Sequence, residues 1–233
     1  MKKLGKLLGV LLLITISIGL LVVGNGYHMY QEAIKANPLN EKVNSIKERK
    51  NYTALSELPQ MYINAVISVE DHRFYKHPGI DIIAIGRAFI NDVKAMSFVE
   101  GGSTIPQQIA KNEYFTQEKK ITRKVAEVFM AFAIESKYSK NEILELYINT
   151  IYFGNGYYNI VDASLGYFGK LPKDMTDAEC IMLAGIPNAP SVYNPNKNPQ
   201  LAEQRQKQVI NKMIQYGYLD QEQANQILNS NKK

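Results

Sequence analysis

Cysteine occurs once, at Cys180, and tryptophan not at all. A lone thiol excludes an intrachain disulfide and a cysteine-based metal site, because each needs further sulfurs. Excess charge of one sign is also scarce. The formal net charge is +5, of which Lys2, Lys3 and Lys6 carry three, so the rest of the chain is nearly balanced. Nothing in that balance argues for nucleic acid as a partner. Alternating runs of Val, Ile and Thr are few, which leaves little material for a sheet, and there is neither an internal repeat nor a low-complexity tract.

A long apolar run is present at the N-terminus. From Leu7 to Val23 no residue is charged, and only Thr15 and Ser17 have polar side chains. With the flank to Tyr27, about 20 residues rising ~1.5 Å each would cross a hydrocarbon core of ~30 Å. Lysines precede the run, and the positive-inside bias then places the N-terminus in the cytoplasm and the remainder outside. The length of the run and the lack of an A-x-A-like site favour an uncleaved anchor over a cleaved signal peptide. The expected division is a cytoplasmic end (1–6), a transmembrane anchor (7–27), a polar stalk or linker of weak periodicity (28–55) and a folded domain (56–233).

Within the domain the signals are helical. Pro59 opens an apolar segment that leads to Glu70. Ser139 to Glu142, Thr176 to Glu179 and Asp220 to Gln223 have the spacing of N-terminal capping boxes. Gly154, Gly185 and Gly217 stand where helices should stop, and 148–153 continues a helical pattern. An all-α domain with at most a minor hairpin is the predicted class.

Three polar stretches carry the candidate chemistry. Glu70 and Asp71 are adjacent acids at the end of an apolar helix, where desolvation raises a carboxyl toward the range useful to a general base. His72 and His77 lie nearby, but their spacing matches no strong metal-ligand pattern, and a hydrogen-bonded structural His77 is the simpler reading. Gly101, Gly102, Ser103 and Thr104 read as a turn entering a helix, with Thr104 as cap. The free amides there, with Lys111 further on, suit a phosphate, although an ordinary capped helix has the same signature. Lys119, Lys120, Arg123 and Lys124 add a basic cluster that suits a pyrophosphate or forms a solvated face. On a helix over 121–135, Ile121, Val125, Val128, Phe129 and Phe132 make one apolar stripe, with Arg123 and Glu127 on the opposite side. Glu127 is thus expected to face a cleft or solvent, where the bland reading is a surface ion pair with Arg123 or Lys124.

The segments 70–79, 101–112, 123–127, 140–156 and 183–195, in that order, together resemble the five motifs of the peptidoglycan glycosyltransferases, glycosyltransferase family 51. The resemblance implies a lysozyme-like α-helical lobe, a smaller membrane-proximal jaw lobe, and a catalytic cleft between them. It also implies the reaction: polymerisation of lipid II into β-1,4-linked glycan with release of undecaprenyl pyrophosphate, on the extracytoplasmic face of the cell membrane. By the same resemblance Glu70 is the general base and Glu127 orients substrate or stabilises the departing pyrophosphate. Asp71, Phe74 and His77 fill motif positions beside the base and are implied substrate contacts. Ser103, Thr104, Gln108, Lys111, Lys119, Arg123 and Lys124 are implied substrate contacts. No cofactor is required by it, though a divalent cation, Mg or Mn, at the pyrophosphate is compatible. The implied partners are lipid II, the growing lipid-linked glycan, the membrane and other cell-wall synthesis proteins.

Pro106 stands where the family usually has Thr or Ser; at a first-turn position it forfeits no intrahelical bond. Lys119 occupies a place often held by Arg, and Asn159 one often held by Gly. The only S-x-x-K is Ser230–Lys233, so the sequence favours the monofunctional type over bifunctional penicillin-binding proteins. Two other classes compete. A lytic lysozyme-like enzyme would need neither the basic cluster nor an anchor, and a non-catalytic cell-wall scaffold would tolerate loss of the two glutamates.

Overall fold

The computed structural model describes residues 2–95, 101–116, 118 and 120–230. Among the described residues there is no strand; one isolated bridge joins Gly154 and Tyr157. The α-helices in order are α1 Lys2–Ala36, α2 Leu39–Lys47, α3 Gln60–Glu70, α4 Ile82–Ala95, α5 Ile105–Tyr114, α6 Ile121–Lys137, α7 Lys140–Ile148, α8 Ile160–Phe168, α9 Asp177–Gly185, α10 Pro199–Gln215 and α11 Gln221–Ser230.

The helix starts follow side-chain chemistry. Thr104, Ser139 and Thr176 each form a reciprocal capping box with the Gln or Glu three residues on, and Asp220 exchanges the same pair of bonds with Gln223. Pro106 lies in the first turn of α5 without disturbing its cap. Asn159 caps α8 by accepting from the Asp162 amide at 2.8 Å, a task that glycine does less well. Gly217 stops α10 in a left-handed conformation (φ 77°), whereas Gly185 does not, and serves instead to let α10 approach through Arg205 and Val209. The helix expected to run on through 148–153 ends at Ile148. Asn149 there donates to the Thr53 carbonyl and accepts from the Thr53 amide, turning the chain out of the helix.

The core lies where α3, α9 and α10 meet and continues between α5, α6 and α7, with Tyr62, Phe74, Tyr147 and Phe153 among its largest fully buried side chains. Two expectations are corrected. Residues 28–55 are not an extended stalk: α1 continues to Ala36, and α2 buries Leu39, Val43 and Ile46 against the domain. A stripe of only three apolar residues in a polar stretch gave a weak periodic signal. Helix α6 also buries the other face from the one expected. Ala126, Met130, Ala131 and Ile134 enter the core, the small alanines permitting close packing with α5, while Ile121 and Phe132 remain exposed.

Helix α1 contains the only described helix segment long and apolar enough to cross a membrane, and its large apolar side chains from Leu4 to Leu21 are all exposed. Helix α4 likewise presents Ile82, Ile83, Ile90 and Val93 outward. An Ile46→Ala substitution should cost about 2–5 kcal/mol in chemical denaturation, as for a core position. A stalk position would lose less than about 0.5 kcal/mol.

Candidate active site

Glu70 is the last residue of α3, and Asp71 leaves the helix with φ −161° and ψ 74°. The chain then folds through 74–76 to Gly79 and enters α4. Two buried links fasten this loop to the start of α5. The Thr104 hydroxyl donates to the Gly79 carbonyl at 2.6 Å. Asp71 receives the Ile105 amide at 3.1 Å and His77 Nε2 at 2.8 and 3.0 Å from its two oxygens. The loop is further pinned by Lys140, which donates to the His77 carbonyl at 2.6 Å.

These links leave a cleft of about 750 Å³ between the end of α3, the entrance to α5, one face of α6, α4 and α10. Glu70, Asp71, Ser103, Thr104, Gln108, Lys111, Lys124 and Glu127 all line it. Arg123 reaches it through Glu127. Lys119 lies outside the described residues. Phe74 and His77, expected as substrate contacts, do not line the cleft: Phe74 is wholly buried beneath it and His77 is occupied with Asp71. Both positions shape the loop that carries the acids.

The two glutamates occupy opposite environments. Burial pushes the Glu70 carboxyl above its ordinary range, and the Gln108 amide, donating at 2.6 Å, and the positive Arg205 draw it part of the way back. The hydroxyls of Tyr62 and Tyr147 are buried near Glu70, and that of Tyr147 also draws the Glu70 carboxyl downward. Glu127, only 1% exposed, is bonded to Arg123 and lies 3.0 Å from Lys124 Nζ. The ion pair anticipated on the surface is therefore real but buried, facing the cleft. Lys124 also donates to the Ser103 hydroxyl at 2.6 Å, joining α6 to the turn before α5. Lys111 lines the cleft with no ion pair among the described residues.

Sequence reasoning missed the α10 wall, formed by Arg205, Lys212 and Tyr216. Their i, i+7, i+11 spacing returns to one helix face and was the available signal. Tyr216 stacks on His72 with ring centroids 4.3 Å apart, and burial, then Arg87, holds the His72 imidazole below its usual pKa. Among the described residues no three His, Cys, Asp or Glu side chains gather, and each acid of the cleft already has a partner. An Asp71→Ala substitution would orphan the Ile105 amide and the His77 ring. Denaturant titration should show a loss of about 2–5 kcal/mol, and a loss under about 1 kcal/mol would remove Asp71 from this role.

Residues 37–214 match the family described as Transglycosylase. Penicillin-binding protein 1A of Neisseria gonorrhoeae is 45% identical over 183 residues, 78% of this chain and 23% of that protein. Penicillin-binding protein 1F of Bacillus subtilis (strain 168) is 44% identical over 177 residues, 76% of this chain and 25% of that protein. The chain thus spans about a quarter of the length of these relatives. The crystal structure of penicillin-binding protein 1A from Haemophilus influenzae aligns over 78% of this chain and 18% of that one, with 22% identity and a TM-score of 0.47. Helices α2 to α9 and most of α10, including every described residue of the cleft outside Tyr216, fall within the matched span, and the chain belongs to the transglycosylase family.

Proposed function

We propose that the chain polymerises lipid II into β-1,4-linked glycan by inverting glycosyl transfer, releasing undecaprenyl pyrophosphate. The observation that carries this reading is the division of charge in one cleft: a carboxyl raised by burial and without an ion pair among the described residues at one side, and Lys111 and Lys124 at the other, with Arg123 behind them on Glu127. A polymerase that transfers from a pyrophosphate donor needs both. A lytic enzyme acting on finished glycan has no use for the cations.

In this reading the Glu70 carboxylate takes the proton from the 4-hydroxyl of the acceptor sugar. The oxygen attacks the anomeric carbon of the donor opposite its α-linked pyrophosphate, and the new bond is β. No covalent sugar–enzyme intermediate is required, so one base suffices. The donor's C–O bond breaks with its electron pair on the pyrophosphate, whose growing charge is met by the cations. Gln108 orients Glu70 by its amide, and Glu127 holds Arg123 and Lys124 in place. The proton acquired by Glu70 returns to solvent before the next addition.

The substrate is a lipid, and α1 supplies the membrane. The lysines before its apolar run favour an N-terminus in the cytoplasm and a cleft on the extracytoplasmic face. The outward isoleucines of α4 offer a second apolar surface for the bilayer. Other cell-wall synthesis proteins are natural partners for such an enzyme.

The test is incubation of the detergent-solubilised full chain with labelled lipid II, beside Glu70→Gln, and gel separation of the products before and after muramidase. The wild type should give muramidase-sensitive polymer, and Glu70→Gln should lose about 10²–10⁴-fold in rate while still binding lipid II. Polymer from both proteins at similar rates would defeat the assignment of the base, and none from either would defeat the reaction.

A further inference from the structure

Helix α1 contains five glycines, and they are not alike. A Cβ placed at Gly5, Gly9, Gly19 or Gly24 would meet nothing within 4 Å. At Gly26 it would stand 2.6 Å from both Cβ and Cγ1 of Val125 and 2.9 Å from the carbonyl oxygen of Thr122. The last of these is backbone and cannot rotate aside, so only glycine fits here without displacing α6. Gly26 is correspondingly buried, whereas the residues on either side of it are exposed. Two aromatic contacts extend the seat. Phe129 lies edge-on to Tyr27 with centroids 5.1 Å apart, and Tyr30 approaches the same ring at 6.0 Å.

The docked surface of α6 is Thr122, Val125 and Phe129, at i, i+3 and i+7 along one face. The same two turns carry Lys124 and Glu127 into the cleft and Arg123 onto Glu127. These turns are therefore held between the anchor helix on one side and the cleft on the other. A helix moves as a rigid unit, so pushing its outer face by about an ångström carries the inner side chains with it.

We infer that the anchor does more than tether: Gly26 is a positioning residue that seats α1 on α6 and thereby fixes where Glu127, Arg123 and Lys124 stand. The catalytic consequence rests on the functional reading above, whereas the docking itself does not. A catalytic group displaced by ~1 Å loses on the order of 10²-fold in rate. The effect should fall mainly on kcat, since the charge that Arg123 and Lys124 meet grows as the pyrophosphate departs.

The experiment compares the whole 233-residue chain in detergent micelles carrying Gly26→Leu, the control Gly24→Leu, Gly26→Ala, or Gly26→Ala with Val125→Gly. Two readouts are taken: hydrogen exchange of amides 121–128, which needs no substrate, and kcat and KM on lipid II. Gly26→Leu should raise exchange in that segment by about tenfold with α3 and α9 unchanged. It should also lower kcat by about 10–100-fold with KM within about threefold. Gly24→Leu should do neither. Val125→Gly removes both valine atoms that a new Cβ would strike and leaves the Thr122 carbonyl at 2.9 Å, so the double variant should recover part of what Gly26→Ala loses. If Gly26→Leu and Gly24→Leu behave alike, or the double variant recovers nothing, the inference is wrong. Should Gly26→Leu fail to fold, the Gly26→Ala pair decides by itself. A wild type that forms no polymer would refute the functional reading, and exchange at 121–128 would still decide the docking.

Discussion

Asp71 accepts from His77 through both carboxylate oxygens and from the amide of Ile105, and through it the loop after Glu70 is joined to the first turn of α5. A carboxylate this buried is costly unless it is hydrogen-bonded, and here both oxygens are. The arrangement explains why the polar residues of the first two motifs are so dense. Many of them serve each other: Thr104 holds Gly79, Gln107 answers Thr104, and Lys140 ties down the carbonyl of His77. With that frame fixed, Glu70 is set at the open end of α3 and Gln108 one turn into α5, within hydrogen-bonding reach. The position of the proposed base thus depends on a neighbour that performs no chemistry.

The second constraint is the separation of charge across the cleft. Glu70 and Glu127 have the same side chain, but one is desolvated and bonded to an amide, with no ion pair among the described residues, and the other is paired with a guanidinium and an ammonium. Environment assigns them different work, one suited to accept a proton and the other to keep two cations aligned. In water an isolated basic-to-acidic pair on a helix is worth a few tenths of a kcal/mol at most. Buried at the cleft wall, the Arg123–Glu127–Lys124 group fixes positions, and that is its larger value.

The sequence was most legible where local chemistry decides. Three capping boxes, the all-helical class, the apolar first helix and the residues of the cleft's central floor could be read directly. The failures have a common origin in tertiary packing. Residues 39–46 carry too few apolar side chains to look like a helix, yet they cover a core face. The apolar stripe of α6 looked like its core face because it is the more hydrophobic one, but Val125 and Phe129 meet α1 and Ile121 and Phe132 are exposed, while alanines fill the core. Phe74 and His77 are polar-motif positions that point inward, and no periodicity distinguishes a residue that touches substrate from one that holds the loop. The α10 wall escaped notice because its residues are spread over three turns. Family resemblance carried the reaction itself, which composition and spacing do not contain.

The central claim, that Glu70 is a base poised by burial, is tested most directly by the pH dependence of kcat/KM on lipid II. Burial disfavours the charged form, so the active carboxylate is populated only above a midpoint higher than the ordinary glutamate value of 4.5. Activity should therefore rise with pH along a limb centred above 4.5, and Gln108→Leu should move that limb upward, because the amide bond favours the carboxylate. A limb centred at or below 4.5, or one that Gln108→Leu moves downward, would contradict the account.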